Sequence, residues 1–386
     1  MYYKLSEEEL MIKEVARNLA EEKIKPLREE MDRESRLFPE IREELGRSDL
    51  LRVSIPEEYE GLGMGFMGMA LATEEISIVD GGIATAYSAN GLGATPLILF
   101  GSKEQKKKYL PQIASGEKWI AFALTEPEAG SDAGGVKLKA DKDSENYILN
   151  GNKIFITNGG EADYYVVIVA TNREKGMRGL SAIIVEKGTE GFLFGKEEDK
   201  MGIRASPTRE LVFTDCKVPK ENLLGKEGMG FMIAMKTLDR TRAGVAAQAV
   251  GIAQGALNEA VSYANVRMQF GKKIGEFQAI QIKLAEMATK VEAARALTYQ
   301  AVRYIDSGAS NISKISSQAK LFASDVAMEV TTEAVQVLGG YGYMKDYPVE
   351  KMMRDAKITQ IYEGTNEIMK LIIARELLKE DFKKKR

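Results

Sequence analysis

The strongest constraint on how this chain folds is a missing residue type: no proline occurs between Pro219 and Pro348. Over that span LDRTRAGVAAQAVGIAQGALNEAVSYANVRMQF, and then AIQIKLAEMATKVEAARALTYQAVRYID, keep helical periodicity with small residues along one face. Proline removes an amide donor and clashes with the preceding turn, so long uninterrupted helices need stretches without it. A continuous face of small and apolar residues makes such helices pack side by side. The spacing therefore predicts a helical bundle over 226–386.

Upstream the texture changes twice. Residues 1–118 read as helical, with Pro26, Pro39 and Pro56 as punctuation. Ser6 followed by Glu9 is a capping box, and Ile12, Val15, Ala16 and Leu19 are expected on one helical face. IPEEYEGLGMGFMGM, 55–69, is glycine-rich and reads as a loop. Residues 119–225 carry short Val/Ile-rich runs bounded by Gly, Asn and Asp: YYVVIVAT, LSAIIVEKG and ELVFTDCKVP. YILNGNKIFITNGG is expected to give two more strands around an Asn150-Gly151 hairpin turn. The fold class is α+β: an N-terminal helical domain, a small central β-barrel or sandwich, and a C-terminal four-helix bundle.

Composition removes whole chemistries. The 386 residues include no histidine and one cysteine, Cys216. No Ser-His or Cys-His nucleophile pair can exist, nor a His or thiolate metal site. Proton transfer falls to Asp, Glu, Lys or Tyr, or to a cofactor. A net charge of −3 gives no general field for nucleic acid, and no apolar run reaches membrane-spanning length. The start MYYKLSEEEL is acidic where a signal peptide would be basic, so a cytoplasmic location is expected.

Several stretches could carry chemistry. TQIYEGTNEIMKLIIAREL, 359–377, places Glu363 and Glu367 four apart, with Gly364 and Thr365 between. Glu363 is either a solvated turn acid before a helix cap or a base held by a short rigid loop. AFALTEPEAGSDAGG, 121–135, breaks at Thr125-Glu126-Pro127 into small residues whose backbone could lie close to a flat ring or a phosphate. It carries neither a Walker nor a Rossmann signature. QVLGGYGY, 336–343, ends a helix at Gly339-Gly340, either as a plain cap or as a turn laid on a ligand. RMQFGKKIGEFQ puts Arg267 and Phe270 at a helix end, and LDRTR sets Asp239 and Arg242 on one helical face, either as an ion pair or as substrate hooks.

Taken together, FALTEPEAGSD, NGNKIFITNG, LDRTR, RMQFGKKIGEFQ, QVLGGYGY and IYEGTNEI make the chain resemble the acyl-CoA dehydrogenase family along essentially its whole length. The resemblance implies FAD, an acyl-CoA substrate, electron-transferring flavoprotein as electron acceptor, and a homotetramer built as a dimer of dimers. It places Phe122, Leu124, Thr125 and Ser131 on one side of the flavin and Phe155 and Thr157 on the other. Arg267, Phe270 and Gln278 would reach FAD held by a neighbouring subunit. Gln336, Leu338, Gly339 and Gly340 would hold the adenosine and diphosphate end, and Thr365 and Glu367 would border FAD. Ser131, Asp239, Arg242 and Gly364 match positions that hold acyl-CoA, and Glu363 matches the catalytic base. The implied reaction is α,β-dehydrogenation of a short- to medium-chain thioester, with enoyl-CoA reductase or acyl-CoA oxidase as alternatives; a non-catalytic assembly subunit is a further one.

The sequence also departs from the family. Phe155 stands where relatives often carry tryptophan and cannot donate a hydrogen bond. Some relatives place the base at the position of Thr241, which cannot serve. The arginine that glutaryl-type relatives have near Ala84 is missing here, which argues against a dicarboxylic acyl group. The MKTLDRTRAGVAAQAVGIAQ stretch is most similar to short- and medium-chain members.

Overall fold

The computed structural model describes residues 4–384. Helix α1 (Glu7–Leu19) opens on the expected capping box: Ser6 Oγ accepts from the Glu9 amide at 3.2 Å, and the Glu9 carboxylate accepts from the Ser6 amide at 2.9 Å. Ile12, Ala16 and Leu19 are buried as expected, but Val15 is 39% exposed. It lies at the edge of the i, i+4, i+7 row that faces the core. Helices α2 (Arg28–Glu34), α3 (Pro39–Arg47), α4 (Gly65–Val79), α5 (Gly81–Phe100) and α6 (Lys103–Ala114) follow.

The expected loop at 55–69 is shorter than its glycines suggest, because α4 already begins at Gly65. The amides of Phe66 and Met67 donate to the carboxylate of Asp306 at 3.0 and 2.8 Å. The first turn of α4 is thus capped by an acid more than two hundred residues away in sequence. No local pattern could show it.

The middle of the chain forms one eight-stranded sheet: β1 (Ile120–Ala123), β2 (Lys139–Lys142), β3 (Asn146–Thr157), β4 (Tyr164–Ala170), β5 (Leu180–Glu186), β6 (Phe192–Glu197), β7 (Thr208–Pro219) and β8 (Leu223–Leu224). Its order is β6-β7-β3-β2-β4-β5-β8, with β1 added parallel to β4. Strand β4 is buried throughout, as its unbroken Val/Ile run requires.

Asn150-Gly151 does not form a hairpin. Strand β3 runs straight through it, with a register shift against β7 between Leu149 and Gly151. Asn150 uses its side chain across strands, accepting from the Asp215 amide at 2.8 Å and donating to the Asp215 carboxylate at 3.1 Å. A dipeptide suited to a tight turn is spent here on a bulge.

Helix α7 (Gly230–Val266) runs 37 residues. A two-stranded ribbon of β9 (Met268–Gln269) and β10 (Lys272–Lys273) joins it to α8 (Gln278–Asp306). Helices α9 (Ser313–Leu338), α10 (Val349–Ile358) and α11 (Asn366–Lys384) complete the bundle. Two glycines let α7 touch the backbone of α4. A Cβ at Gly251 would fall 2.2 Å from the Glu74 carbonyl oxygen, and one at Gly255 2.2 Å from that of Ile78.

The helical layers are locked by buried charge. Lys351 of α10 pairs with Asp80 at 2.9 Å and Asp355 at 2.6 Å, all three nearly inaccessible. Asp80 also caps α5 through the Ile83 amide at 2.8 Å. Replacing Lys351 with methionine would leave two buried carboxylates without their cation, at a cost of about 3–5 kcal/mol. Chemical denaturation of Lys351→Met checks this, and a loss below about 1 kcal/mol would contradict it.

Candidate active site

Glu363 sits in the turn between α10 and α11. Its φ is +52°, and that of Gly364 is +103°. The positive φ favours glycine at the second position; a Cβ there would meet the flexible end of Met369 at 2.6 Å. A left-handed glutamate is costly and persists only where its surroundings fix it. Those surroundings are polar and come from two helices. Arg242 Nε of α7 donates to the Glu363 carbonyl at 3.0 Å. Lys320 Nζ of α9 donates to the Gly364 carbonyl at 2.7 Å and to Asn366 Oδ1 at 2.9 Å.

The Glu363 side chain accepts a 2.6 Å hydrogen bond from Thr241 Oγ1 of α7. The residue as a whole is half-buried. Packing around its carboxyl raises the pKa above the ordinary 4.5, against the opposing pull of the Thr241 hydroxyl, Arg242 and Lys320. Burial wins because the charged form loses more water than its neighbours replace. Arg242 is itself 3% exposed and pairs with Asp239 at 2.7 Å. Behind Glu363, the Tyr362 hydroxyl meets Gln248, whose amide donates to Thr85 Oγ1 at 2.7 Å and the Gly81 carbonyl at 3.0 Å.

A second group of expected residues converges on the sheet. Lys153 is fully buried, and its ammonium donates to the Leu124 carbonyl at 2.8 Å and to Glu126 at 2.7 Å. Burial lowers the Lys153 pKa to about 8, although Glu126 pulls the other way. Glu126 also accepts from the Lys137 and Leu138 amides, at 2.6 and 2.9 Å, which folds the 125–137 loop around one carboxylate. The Ile154 amide donates to the Thr125 carbonyl at 3.0 Å. Leu124 and Thr125 are thereby laid beside 153–154. Phe122, Leu124 and Thr157 are half-buried on open faces, and Ser131 is exposed. A register irregularity in β3 between Lys153 and Ile156 gives Phe155 a φ of +57° and leaves it 59% exposed.

The third group lies at the far end of the bundle. Arg267 stacks over the Tyr341 ring at 5.4 Å, which joins the 267–278 segment to the 336–343 turn. Phe270 is 94% exposed, and Gln278, Gln336, Gly339 and Gly340 are also exposed. Cβ atoms built on Gly339 and Gly340 would meet nothing within 4 Å. Leu338 is different: its side chain is buried in the bundle, so only its backbone can face a ligand. Among the described residues, no hydrogen bond, ion pair or ring contact joins this group to Phe122, Phe155 or Glu363. Thr365 is half-buried beside the Glu363 loop, and Glu367 is exposed in the first turn of α11.

Exposed aromatic faces, open glycine backbone and a guanidinium stacked on Tyr341 fit a large planar ligand with a diphosphate tail. No three acids or cysteines cluster as a metal site among the described residues, and no described helix is long and apolar enough to cross a membrane. A recess of about 500 Å³ lies elsewhere, between α1, α4, α7 and α8. Paired charges such as Arg295 and Glu74 line it, and none of the expected site residues does.

Sequence reasoning missed Lys320, Asn366 and the donor role of Thr241. A signal for Lys320 existed: it lies in a buried row of Ser316, Ser317, Ala319, Ala323 and Ser324, where a lysine needs a reason. Removing the Thr241 hydroxyl takes a donor from ionised Glu363. Thr241→Val should raise the Glu363 pKa further, read by carboxyl infrared or carbon NMR titration. An unmoved titration would contradict the hydrogen bond.

Comparison with known proteins fits this geometry. Family profiles described as acyl-CoA dehydrogenase N-terminal, middle and C-terminal domains match residues 6–117, 121–216 and 228–378. An acyl-CoA dehydrogenase of Bacillus subtilis (strain 168) is 48% identical, over 97% of this chain and 99% of its own length. An acryloyl-CoA reductase (NADH) of Anaerotignum propionicum is 49% identical, over 98% and 96%. The butyryl-CoA dehydrogenase structure from Megasphaera elsdenii superposes with a TM-score of 0.96 at 47% identity, covering 98% of this chain and 100% of that one. A chain solved in work on the electron transferring flavoprotein of Acidaminococcus fermentans gives 0.96 at 53% identity, with the same coverage. An acyl-CoA dehydrogenase complexed with FAD from Bacillus anthracis gives 0.91 at 38%, covering 99% of this chain and 68% of that one. The chain belongs to the acyl-CoA dehydrogenase family and is an FAD-dependent enzyme of that class.

Proposed function

We propose that this protein converts a short saturated acyl-CoA thioester to the trans-2-enoyl-CoA, with Glu363 removing the α-proton. The observation that carries the reading is the raised pKa of a packed carboxyl on a left-handed loop. A desolvated carboxylate is a stronger base than one in water. FAD, when bound, supplies the two-electron acceptor for the β-hydride. Among the described residues the Glu363 amide has no acceptor. It is therefore available to the thioester carbonyl, where charge develops as the proton leaves. Gly364 keeps the chain thin enough for the thioester to lie against it, and Asp239, Arg242 and Ser131 would hold the rest of the acyl-CoA.

Phe122, Leu124, Thr125 and Ser131 would line one side of the isoalloxazine, and Phe155 and Thr157 the other. Thr365 and Glu367 border it. Gln336, Gly339, Gly340 and the Leu338 backbone would carry the adenosine and diphosphate end. Arg267, Phe270 and Gln278 would serve the FAD of a neighbouring subunit, which implies a homotetramer arranged as a dimer of dimers. The high exposure of Phe270 and of Leu371, 94% and 66%, supports a covering partner. Electron-transferring flavoprotein would take the electrons, in the cytoplasm.

A short acyl group is supported by the likeness to the butyryl-CoA dehydrogenase of Megasphaera elsdenii. The buried Ala84 offers no counter-charge for a second carboxylate. The reverse direction, enoyl-CoA reduction, is a second reading, favoured by the identity to the Anaerotignum reductase.

Anaerobic titration of the FAD-loaded protein with saturated acyl-CoAs of graded length should bleach the flavin best at short chains. Optimal bleaching by long chains would contradict a short acyl substrate. Bleaching by NADH, with oxidation by enoyl-CoA, would favour the reductase reading. Glu363→Gln should keep FAD and acyl-CoA binding and lose bleaching by several orders of magnitude; rapid bleaching would mean that another base acts. Because the folded pKa of Glu363 is raised, activity falls as pH drops through a value above 4.5. The same shift gives stability below the unfolded pKa that is lost as pH rises through the folded one. Glu363→Gln is therefore expected to melt no lower than the parent at neutral pH, and a lower melting temperature would contradict the burial penalty.

A further inference from the structure

Two consecutive carbonyls in the Glu363 turn are each taken by a cation from a different helix. Arg242 of α7 holds that of Glu363, and Lys320 of α9 that of Gly364. The two cations are not equivalent. Arg242 has a carboxylate partner in Asp239 at 2.7 Å. Lys320 is 0% exposed, and its hydrogen bonds go to a neutral carbonyl and the neutral amide of Asn366. Burying an ammonium on dipoles alone is costly, and a structural lysine would normally be given an acid. Its positive charge, fixed on the carbonyl of the residue next to Glu363, acts on the Glu363 carboxyl first and on Asp325 and Glu367 less.

Asn366 is braced in turn, donating to Ser324 Oγ at 2.9 Å and to Asp325 at 2.8 Å. The charged and titratable groups around the turn are Arg242 and Asp239 from α7, Lys320 and Asp325 from α9, Glu367 and Arg375 from α11, and Tyr362 within it. Of these, Arg242, Lys320 and the Thr241 hydroxyl act to keep Glu363 ionised.

We propose that Lys320 is a positioning residue for proton abstraction: fixed on the Gly364 carbonyl and the Asn366 amide, it holds the left-handed turn and sets a positive charge beside the Glu363 carboxylate. The inference rests on Glu363 being the base. Its consequences differ from those of a residue that merely fastens α9 to α11. Without the ammonium, Glu363 is less readily ionised, so the acid limb of the rate profile moves to higher pH. Displacement of a base by a fraction of an ångström to an ångström slows the step by about 10–100-fold. Burial also lowers the Lys320 pKa to about 8, so the parent enzyme should lose rate in mildly alkaline solution as the clamp discharges.

The test is single-turnover flavin bleaching by a short acyl-CoA across pH, per bound FAD, in the parent, Lys320→Met, Asn366→Ala and Glu363→Gln. Lys320→Met is expected to bleach about 10–100-fold more slowly with acyl-CoA affinity within about threefold, its acid limb shifted upward and the alkaline limb abolished. Asn366→Ala keeps the charge and loosens the turn, so it should slow bleaching with the acid limb unmoved. A Lys320→Met protein with parental rate and profile would overturn the proposal. Should that variant fail to fold, Asn366→Ala at parental rate together with a parent lacking an alkaline limb would overturn it equally. If Glu363→Gln bleaches normally, the base assignment itself falls. If Glu363→Gln is inert while Lys320→Met is parental, only the role of Lys320 falls.

Discussion

The site depends on one constraint: a carboxylate must be kept short of water yet remain able to ionise. Packing at the α7, α9 and α11 junction raises the Glu363 pKa, while the Thr241 hydroxyl, Arg242 and Lys320 restrain the rise. Either influence alone would fail. Full desolvation would leave a neutral acid, and full compensation an ordinary weak base. A chain without histidine must draw its base from another side chain.

The remaining architecture serves that balance. Helix α7 supplies both Thr241 and Arg242 within one turn and must be straight and fixed to present them. Its glycines at 251 and 255 let it lie directly on the α4 backbone, and the buried Lys351 triad ties α5 to α10, the helix that leads into the turn. On the sheet side, the Lys153–Glu126 pair does comparable work for the 125–137 loop, fixing an open surface from a buried anchor. In both places an irregular backbone faces outward and is held from within by charge, which a mobile loop could not achieve.

How much of this was legible follows from how local each feature is. Helix α7, the capping box of α1 and the buried strand β4 depend on spacing within a few turns, and the sequence shows them. The Glu363-Gly364 break and the Asp239–Arg242 pair are equally local, and their partners at i+1 and i+3 are visible. The start of α4 was not legible, because its cap is the distant Asp306. Asn150-Gly151 misled because a turn-forming dipeptide can also build a bulge when long strands continue on both sides. Phe155 turns outward at another irregularity that residue identity does not mark. Lys320 and Asn366 are bridged by 2.9 Å in space and forty-six positions in sequence, so only the fold reveals what the lysine holds.

In the proposed reaction Glu363, as a base of raised pKa, removes a proton from the carbon beside a thioester. The most direct measurement is the exchange of α-protons of bound acyl-CoA with deuterated water, followed by mass spectrometry or proton NMR as a function of pD in the FAD-loaded protein. Wash-in of deuterium is expected to fall away on acidification through a midpoint above that of a free glutamate carboxylate in the same solvent. Exchange at the uncatalysed rate, or exchange whose midpoint lies at or below that of the free carboxylate, would contradict Glu363 as the base.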